Sequence, residues 1–465
     1  MTAISRSTRA ERPLLSVTQS AAFGATETTG TRATSIHAPL SRVVTLVLIL
    51  LIAIGVVLRI RALGFPSNFT FDEELFARNA HNYLLGLRDD NDHPPLGKLL
   101  MAVGLLLFGY NSLGWRFVSL CFGLQNLLVG YWLGRTLFGT QRSGLFAAAF
   151  LAADGFFIAY SRVGLLDGML TCLVLCSVIA ASTARGVLGV LRAALLVGLA
   201  TSIKWSGALA LFPCLAACLL IARVRRSAIL AFAIVPLVHL AIWSFGLHIT
   251  GQASDLHSLW KVMVDLFRHH LELGHHQNAA ASPWYTWPVM GHPIVVKLSQ
   301  HGTTQRYASS VGNPLLFLAA SLTVVLAFLE LPFRFFHARR RPSRAILAKP
   351  SAPNAPNAPL VAPSPPLALW RPAIVLQVGW LALLSPWMVA RGSYTFMYHY
   401  LPSYGFALVL LAGCVARFER KHVRQVLAFT VTALILTVYF APVWGELPIG
   451  ESAANQRLLF RGWRP

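Results

Sequence analysis

Charge is scarce along this chain, and that scarcity decides what it can fold into. Only 12% of its 465 residues are charged, 55% are hydrophobic, and the mean hydropathy is +0.60. A soluble domain carries roughly 25% charged residues. A water-facing surface could not be covered with so few, and a disordered chain would need more charge still. The chain therefore reads as an integral membrane protein with one helical body. Its net charge of +22 does not point to nucleic acid. Basic nucleic-acid surfaces interleave cations with aromatic groups on a wet face. Here the cations gather in short clusters between apolar runs, as cytoplasmic loops do under the positive-inside rule. Cys121, Cys172, Cys176, Cys214, Cys218 and Cys414 all lie in apolar segments without CxxC or Cys/His metal spacing, which fits packing.

Residues 1–42, rich in Ser, Thr, Ala and Arg and without apolar periodicity, read as a disordered cytoplasmic tail. The run VVTLVLILLIAIGVV comes next. No small-residue cleavage site follows it, so it reads as an anchor and not as a removed signal peptide. Spans are expected near 43–63, 115–138, 143–160, 165–184, 188–204, 205–222, 227–247, 313–336, 372–390, 400–416 and 425–443. The clusters Arg223/Arg225/Arg226, Arg339/Arg340/Arg341/Arg344 and Arg417/Arg420/Lys421/Arg424 all fall inside if 187–222 holds two spans. That parity gives eleven transmembrane helices, with the N-terminus in and the C-terminus out.

The expected organisation is a membrane core over 43–336 with outer loops at 64–114 and 248–312. A Pro/Ala-rich cytoplasmic linker (337–371), further helices (372–443) and an extracytoplasmic tail (444–465) complete it. Both outer loops carry interfacial helices. LGKLLMAVGLLLFG is apolar but too short to cross. DLHSLWKVMVDLFRHHLEL repeats apolar residues at helical spacing behind a Ser254/Asp255 cap signal. The fold class is thus all-α and polytopic.

The few acidic residues are the most informative. Asp72, Glu73 and Glu74 sit in FTFDEELF just outside the first span. Adjacent side chains diverge by about 100° on a helix and about 180° on a strand, so Asp72 and Glu73 are expected to hold separate roles. A solvated acidic turn capping the helix that starts there is the plainer reading. DDNDHPPLGKLL brings Asp92, His93 and Lys98 together beside a rigid Pro-Pro pair. That suits a lipid head group, or simply a helix entry with Lys98 snorkelling. Arg59, Arg116, Arg162, Asp167 and Lys204 lie deeper in the apolar body, where ionisable groups are costly and by default suggest function. Arg162 and Asp167 flank VGLL and could simply pair across a helix end. Lys204, at the outer tip of a hairpin in TSIKWSG, is a cation where positive charge is disfavoured, and it suits a phosphate. His269, His270, His275 and His276 match neither HExxH nor a Cys/His site, so no metal is expected. Trp284, Tyr285 and Trp287 in SPWYTWP fit a membrane-interface belt, or a platform for an acceptor chain.

Taken in order, FDE at 71–73, HPPLGK at 93–98, Arg116 at a span entry, SRVGLLD at 161–167 and SIKWSG at 202–207 form one half of a pattern. SPWYTWP at 282–288, VGNP at 311–314, YHYLP at 398–402 and the terminal YFAPVWGELP form the other. Together they resemble the protein O-mannosyltransferase family of GT-C membrane glycosyltransferases. The second outer loop is too short for the lumenal β-trefoil (MIR) domain of fungal and animal members, which points to the bacterial branch. The resemblance implies transfer of mannose from a polyprenyl-phosphate carrier to Ser or Thr hydroxyls of secreted or membrane proteins. It implies an outer-face reaction in the cell membrane, inversion at the anomeric carbon, and no metal or other cofactor.

Within that resemblance Asp72 is the general base, and Glu73 binds sugar or positions the loop. Arg116, Lys204 and Lys98 are candidates for the leaving phosphate. Arg59 resembles the family's basic residue at the outer end of span 1, and either joins them or holds Asp72. Asp92, His93, Arg162 and Asp167 support the site. Two alternatives stand beside this. One is the same carrier used on a lipid or polysaccharide acceptor. The other is transport of an anionic solute, against which the long outer loops and the lack of inverted repeats both argue.

Overall fold

The computed structural model describes residues 31–90, 92–273, 278, 280–301, 304–340, 370–390 and 395–464. Helix α1 (Thr31–Ile60) begins well ahead of the span expected from residue 43, so the end of the supposed unstructured tail is helical; residues 1–30 lie outside the described residues. Helices α2 (Glu73–Leu85) and α3 (Leu96–Phe108) build the loop that follows α1 and pack on each other. Helix α4 (Ser112–Phe138) starts at Asn111, whose side chain accepts from the Leu113 and Gly114 N–H groups, a standard N-cap. Then come α5 (Gln141–Ala152), α6 (Gly155–Tyr160), α7 (Asp167–Ser182) and α8 (Gly186–Ile203). Helix α9 (Leu211–Ala217) lies within the helical stretch Trp205–Ala222, and α10 (Ile234–Ile249) ends the stretch Arg226–Ile249.

Helix α11 (Leu256–Leu273) is the amphipathic element of the long loop that follows α10. It buries Leu259 and Leu266 against Trp243 and Leu247, and exposes Leu256, Trp260, Phe267 and Leu271. A hairpin follows, β1 (Val295–His301) against β2 (Thr304–Ser309), and β3 (Ile449–Gly450) adds to its far edge. The all-α expectation did not include this antiparallel sheet. The remaining helices are α12 (Pro314–Arg340), α13 (Trp370–Val389), α14 (Leu401–Glu419), α15 (Val423–Trp444) and α16 (Glu451–Arg457).

Among the described residues eight helices are long and apolar enough to cross a membrane, so the expected count of eleven is not reached on those grounds. Helix α7 and the apolar part of α12 are shorter than the rest. The expected span at 143–160 is two helices, α5 and α6, broken at Ala153–Asp154. The break has a chemical cause. Asp154 caps α6 by accepting from the Phe156 and Phe157 N–H groups, while Arg59 donates to the last carbonyls of α5. Helix α14 sits at the centre, buried along nearly its whole length against α4, α5, α7, α12 and α13. One end of the bundle carries Ser41, Arg142 and Glu419 in mutual contact. The other gathers the loop that follows α1, the α6–α7 turn, the α8 C-terminus, the sheet and the chain's C-terminal segment.

Candidate active site

Asp72 stands at the N-terminus of α2 but its carboxylate does not cap the helix, contrary to the plainer reading of that acidic turn. The preceding Phe71 adopts a left-handed backbone conformation (φ 54°), rare for an aromatic residue. Its ring meets the edge of Tyr398 at 5.8 Å. The chain therefore turns sharply, leaving Asp72 exposed and Glu73 fully buried. Crowding by surrounding atoms pushes the Asp72 pKa above its ordinary value; the Lys204 charge opposes that rise, and Asp167 and Asp92 reinforce it.

Lys204, at the C-terminus of α8, is the cation whose charge reaches this carboxylate. Its Nζ donates to both oxygens of Asp167 at 3.0 Å and lies 5.2 Å over the Tyr398 ring. The side chain keeps 10% of its surface exposed. An ammonium has three donors, so one remains beyond the Asp167 pair. His93 stacks on Phe76 and lies 5.6 Å from His270 of α11. Burial and the nearby Lys204 charge hold the His93 pKa well below the usual value, and burial also lowers His270. Both rings are neutral at physiological pH. Nδ1 of His270 faces the Leu266 carbonyl at 2.9 Å, which can only accept, so Nδ1 carries the proton and Nε2 is the acceptor.

The other expected phosphate ligands are spent on structure. Arg116 is fully buried and all five of its N–H donors are used. It forks onto Glu73 at 2.7 Å twice, and donates to the carbonyls of Leu63 (3.1 Å), Pro66 (2.8 Å) and Asn68 (3.1 Å). Glu73 accepts further bonds from the Thr70 N–H and hydroxyl and from the Gly164 N–H. Burial would raise its pKa, but the Arg116 hydrogen bonds and the Lys297 and Arg116 charges hold it below the ordinary value. Glu73 thus positions the loop and touches no open site. Arg59 is likewise buried and binds the carbonyls of Gly55, Leu151 and Ala152 and the Ser161 hydroxyl, so it neither faces a carrier nor holds Asp72. Lys98 does not snorkel. It is fully buried between Asp89 (2.6 Å) and Asp92 (3.3 Å), with the Tyr83 hydroxyl donating to Asp89.

Arg162 and Asp167 do not pair with each other. Asp167 takes Lys204, and Arg162 takes Glu446 at 3.2 Å. Glu446 also meets Lys297 of β1 at 3.1 Å. Burial lowers Lys297 to about 8, with Glu446 opposing the drop, so it remains an ammonium at neutral pH. Trp287 is fully buried, donating to Ser282, and is no surface platform; Trp284 is half-buried and Tyr285 is 65% exposed. Ser282 and Thr395 exchange hydrogen bonds, strapping this loop to the entry of α14. His275 and His276 lie outside the described residues.

Sequence reasoning assigned nothing to Asp89, Tyr398, Lys297 or Glu446. The signal for two of them was visible: Lys297 and Glu446 are isolated charges in apolar stretches, IVVKL and APVWGELP.

Similarity to known proteins follows the same outline. Residues 49–115 and 92–247 match two family models, each described as dolichyl-phosphate-mannose-protein mannosyltransferase. Residues 255–463 match the C-terminal four-transmembrane region of protein O-mannosyltransferase. The polyprenol-phosphate-mannose–protein mannosyltransferase of Mycobacterium tuberculosis is 26% identical, over 85% of this chain and 86% of that protein. The S. cerevisiae protein O-mannosyltransferase Pmt1-Pmt2 complex, solved with its sugar donor, shares the fold with a TM-score of 0.71 at 13% identity, over 92% of this chain and 94% of that one. ArnT of Cupriavidus metallidurans, solved with undecaprenyl phosphate, aligns with a TM-score of 0.52 at 15% identity, over 85% and 76% of the two chains. The chain belongs to the protein O-mannosyltransferase family of GT-C membrane glycosyltransferases.

Proposed function

We propose that this multi-pass membrane enzyme transfers mannose from polyprenyl-phosphate mannose to Ser or Thr hydroxyls of proteins at the outer face of the cell membrane, with Asp72 as general base. The observation that carries this reading is an exposed, uncapped carboxylate on a strained turn within electrostatic reach of the Lys204 ammonium, whose side chain keeps 10% of its surface exposed. An inverting displacement needs those two poles. Asp72 orients the acceptor hydroxyl and takes its proton as the new glycosidic bond forms. The carrier phosphate departs with the electrons of the broken C–O bond, and the spare donor of Lys204 stabilises the charge it gains. Neutral His270 and His93 offer hydrogen-bonding atoms near the same space without adding charge. Arg116 and Glu73 act one step back, holding the loop. With Lys204 at the phosphate, the reaction runs without a metal.

Under this reading the sheet, α11 and the C-terminal segment are outside, the Arg142–Glu419 end is cytoplasmic, and acceptors arrive as exported chains. The test is incubation of membranes with radiolabelled polyprenyl-phosphate mannose and a Ser/Thr-rich peptide. Label should enter the peptide and be insensitive to EDTA. Label in lipid or polysaccharide alone would move the acceptor to the alternative class, and full inhibition by chelator would overturn the metal-free mechanism.

A further inference from the structure

We infer that Glu446, two residues past α15, is a positioning residue for the transfer reaction: the shared counter-ion that holds the loop carrying Asp72. The inference rests on Asp72 as the base, but its observations are independent of the substrate. Glu446 is 1% exposed, and its Oε1 lies 3.2 Å from Arg162 Nη2 and 3.1 Å from Lys297 Nζ. Each cation grips the path that leads to Asp72. Arg162 donates to the carbonyls of Leu58 and Arg59 in the last turn of α1. Lys297 reaches the Phe65 carbonyl at 3.5 Å. Arg116 then takes Leu63, Pro66 and Asn68 and ends on Glu73. The chain from Leu58 to Glu73 is thus gripped by three buried cations, one paired with Glu73 and two sharing the single charge of Glu446.

Glu446 is itself set firmly. Its N–H donates to the Tyr307 carbonyl of β2 at 3.0 Å, and its backbone is left-handed (φ 56°), a conformation that a non-glycine residue holds only where the surroundings impose it. Lys297 comes from β1 and β3 begins just after Glu446, so the small sheet brings this carboxylate and one of its cations together. Without Glu446 two buried cations would face one another uncompensated. Both would give up their carbonyls to reach water, and the segment ahead of Asp72 would lose two of its anchors.

The full-length protein in detergent tests this through Glu446→Gln, Glu446→Asp and the double variant Glu446→Gln/Lys297→Met, which removes one of the stranded cations. Three quantities are read: kcat, KM for polyprenyl-phosphate mannose, and amide hydrogen exchange over residues 61–73 and over α14. Glu446→Gln should lower kcat by about tenfold or more while KM changes by less than about threefold. Exchange should quicken over 61–73 and stay unchanged in α14. Glu446→Asp, which keeps the charge, should retain part of the activity, and the double variant should regain part of the loop protection.

Unchanged kcat and loop exchange in Glu446→Gln would overturn the inference. So would a loss of activity in which α14 exchanges faster as well, because Glu446 would then only staple the bundle. If Glu446→Gln does not accumulate as folded protein, loop exchange in Glu446→Asp identical to wild type overturns it equally. Exchange needs no substrate, so a wild-type protein that transfers no mannose would sink the functional reading while still deciding whether Glu446 holds the loop.

Discussion

Two adjacent carboxylates do opposite things at one end of this molecule. Glu73 accepts five hydrogen bonds, and its pKa is held down. Asp72 does not cap its helix, and its pKa is pushed up. In the role proposed for it Asp72 must be ionised, so transfer should fall as pH drops through its raised pKa. The Glu73 clamp is a depressed carboxylate, so its contribution to stability persists until lower pH. A pH–rate profile should therefore show an acid limb displaced upward from that of an ordinary Asp, while thermal unfolding across the same limb reports the clamp intact. Asp72→Asn should remove that limb and cost about 100- to 10,000-fold in rate.

Lys204 and Arg116 separate in the same way. Lys204→Gln keeps a donor for Asp167 but loses the charge at the phosphate, and should weaken carrier binding by about tenfold or more in a titration without peptide. Arg116→Gln leaves Glu73 buried without its cation, a change of about 3–5 kcal/mol against the fold, and should lower the unfolding temperature. Sequence alone could nominate all these residues as charges out of place. It could not divide them into open and spent, because that division depends on carbonyls supplied by remote segments such as 63–68 and 151–152.

Among the elements, long apolar helices were legible from composition, and so was the amphipathic stripe of α11. What escaped was whatever tertiary contacts decide. The stretch 143–160 reads as one span by hydropathy, yet Asp154 and Arg59 break it by satisfying the helix ends on either side. The hairpin at 295–309 lay in a region read only for its aromatic and histidine residues, although the IVV run and the alternating TQRYAS carry a strand signal. The α1–α5 crossing makes a further prediction. A Cβ on Gly55 would sit 2.2 Å from the Ala152 carbonyl oxygen, so α1 approaches α5 as closely as glycine alone permits. Gly55→Val should force the helices apart and strip Arg59 of its α5 carbonyls. Overpacking of this kind typically costs about 1–3 kcal/mol, and a fall in the thermal midpoint of the purified protein would register it.

At the scale of the whole molecule, the site is assembled from segments that are far apart in sequence and meet at one end of the bundle. The proposed function gives that end an orientation that can be checked. In intact cells a membrane-impermeant thiol reagent should label Ser452→Cys, on exposed α16, and should reach Arg225→Cys only after permeabilisation. The reverse pattern would invert the proposed topology. The ionic link from Arg162 and Lys297 to Glu446 also has a meaning in time. The ribosome releases Asp72 well before Glu446, and chains fold from the N-terminus as they emerge. Until α15 and the residues after it are in place, Arg162 and Lys297 have no shared carboxylate, and only Arg116 grips the loop that bears Asp72. On the proposed reading, a chain still being made holds the Asp72 loop by Arg116 alone, and the full grip closes only once the residues around Glu446 are in place.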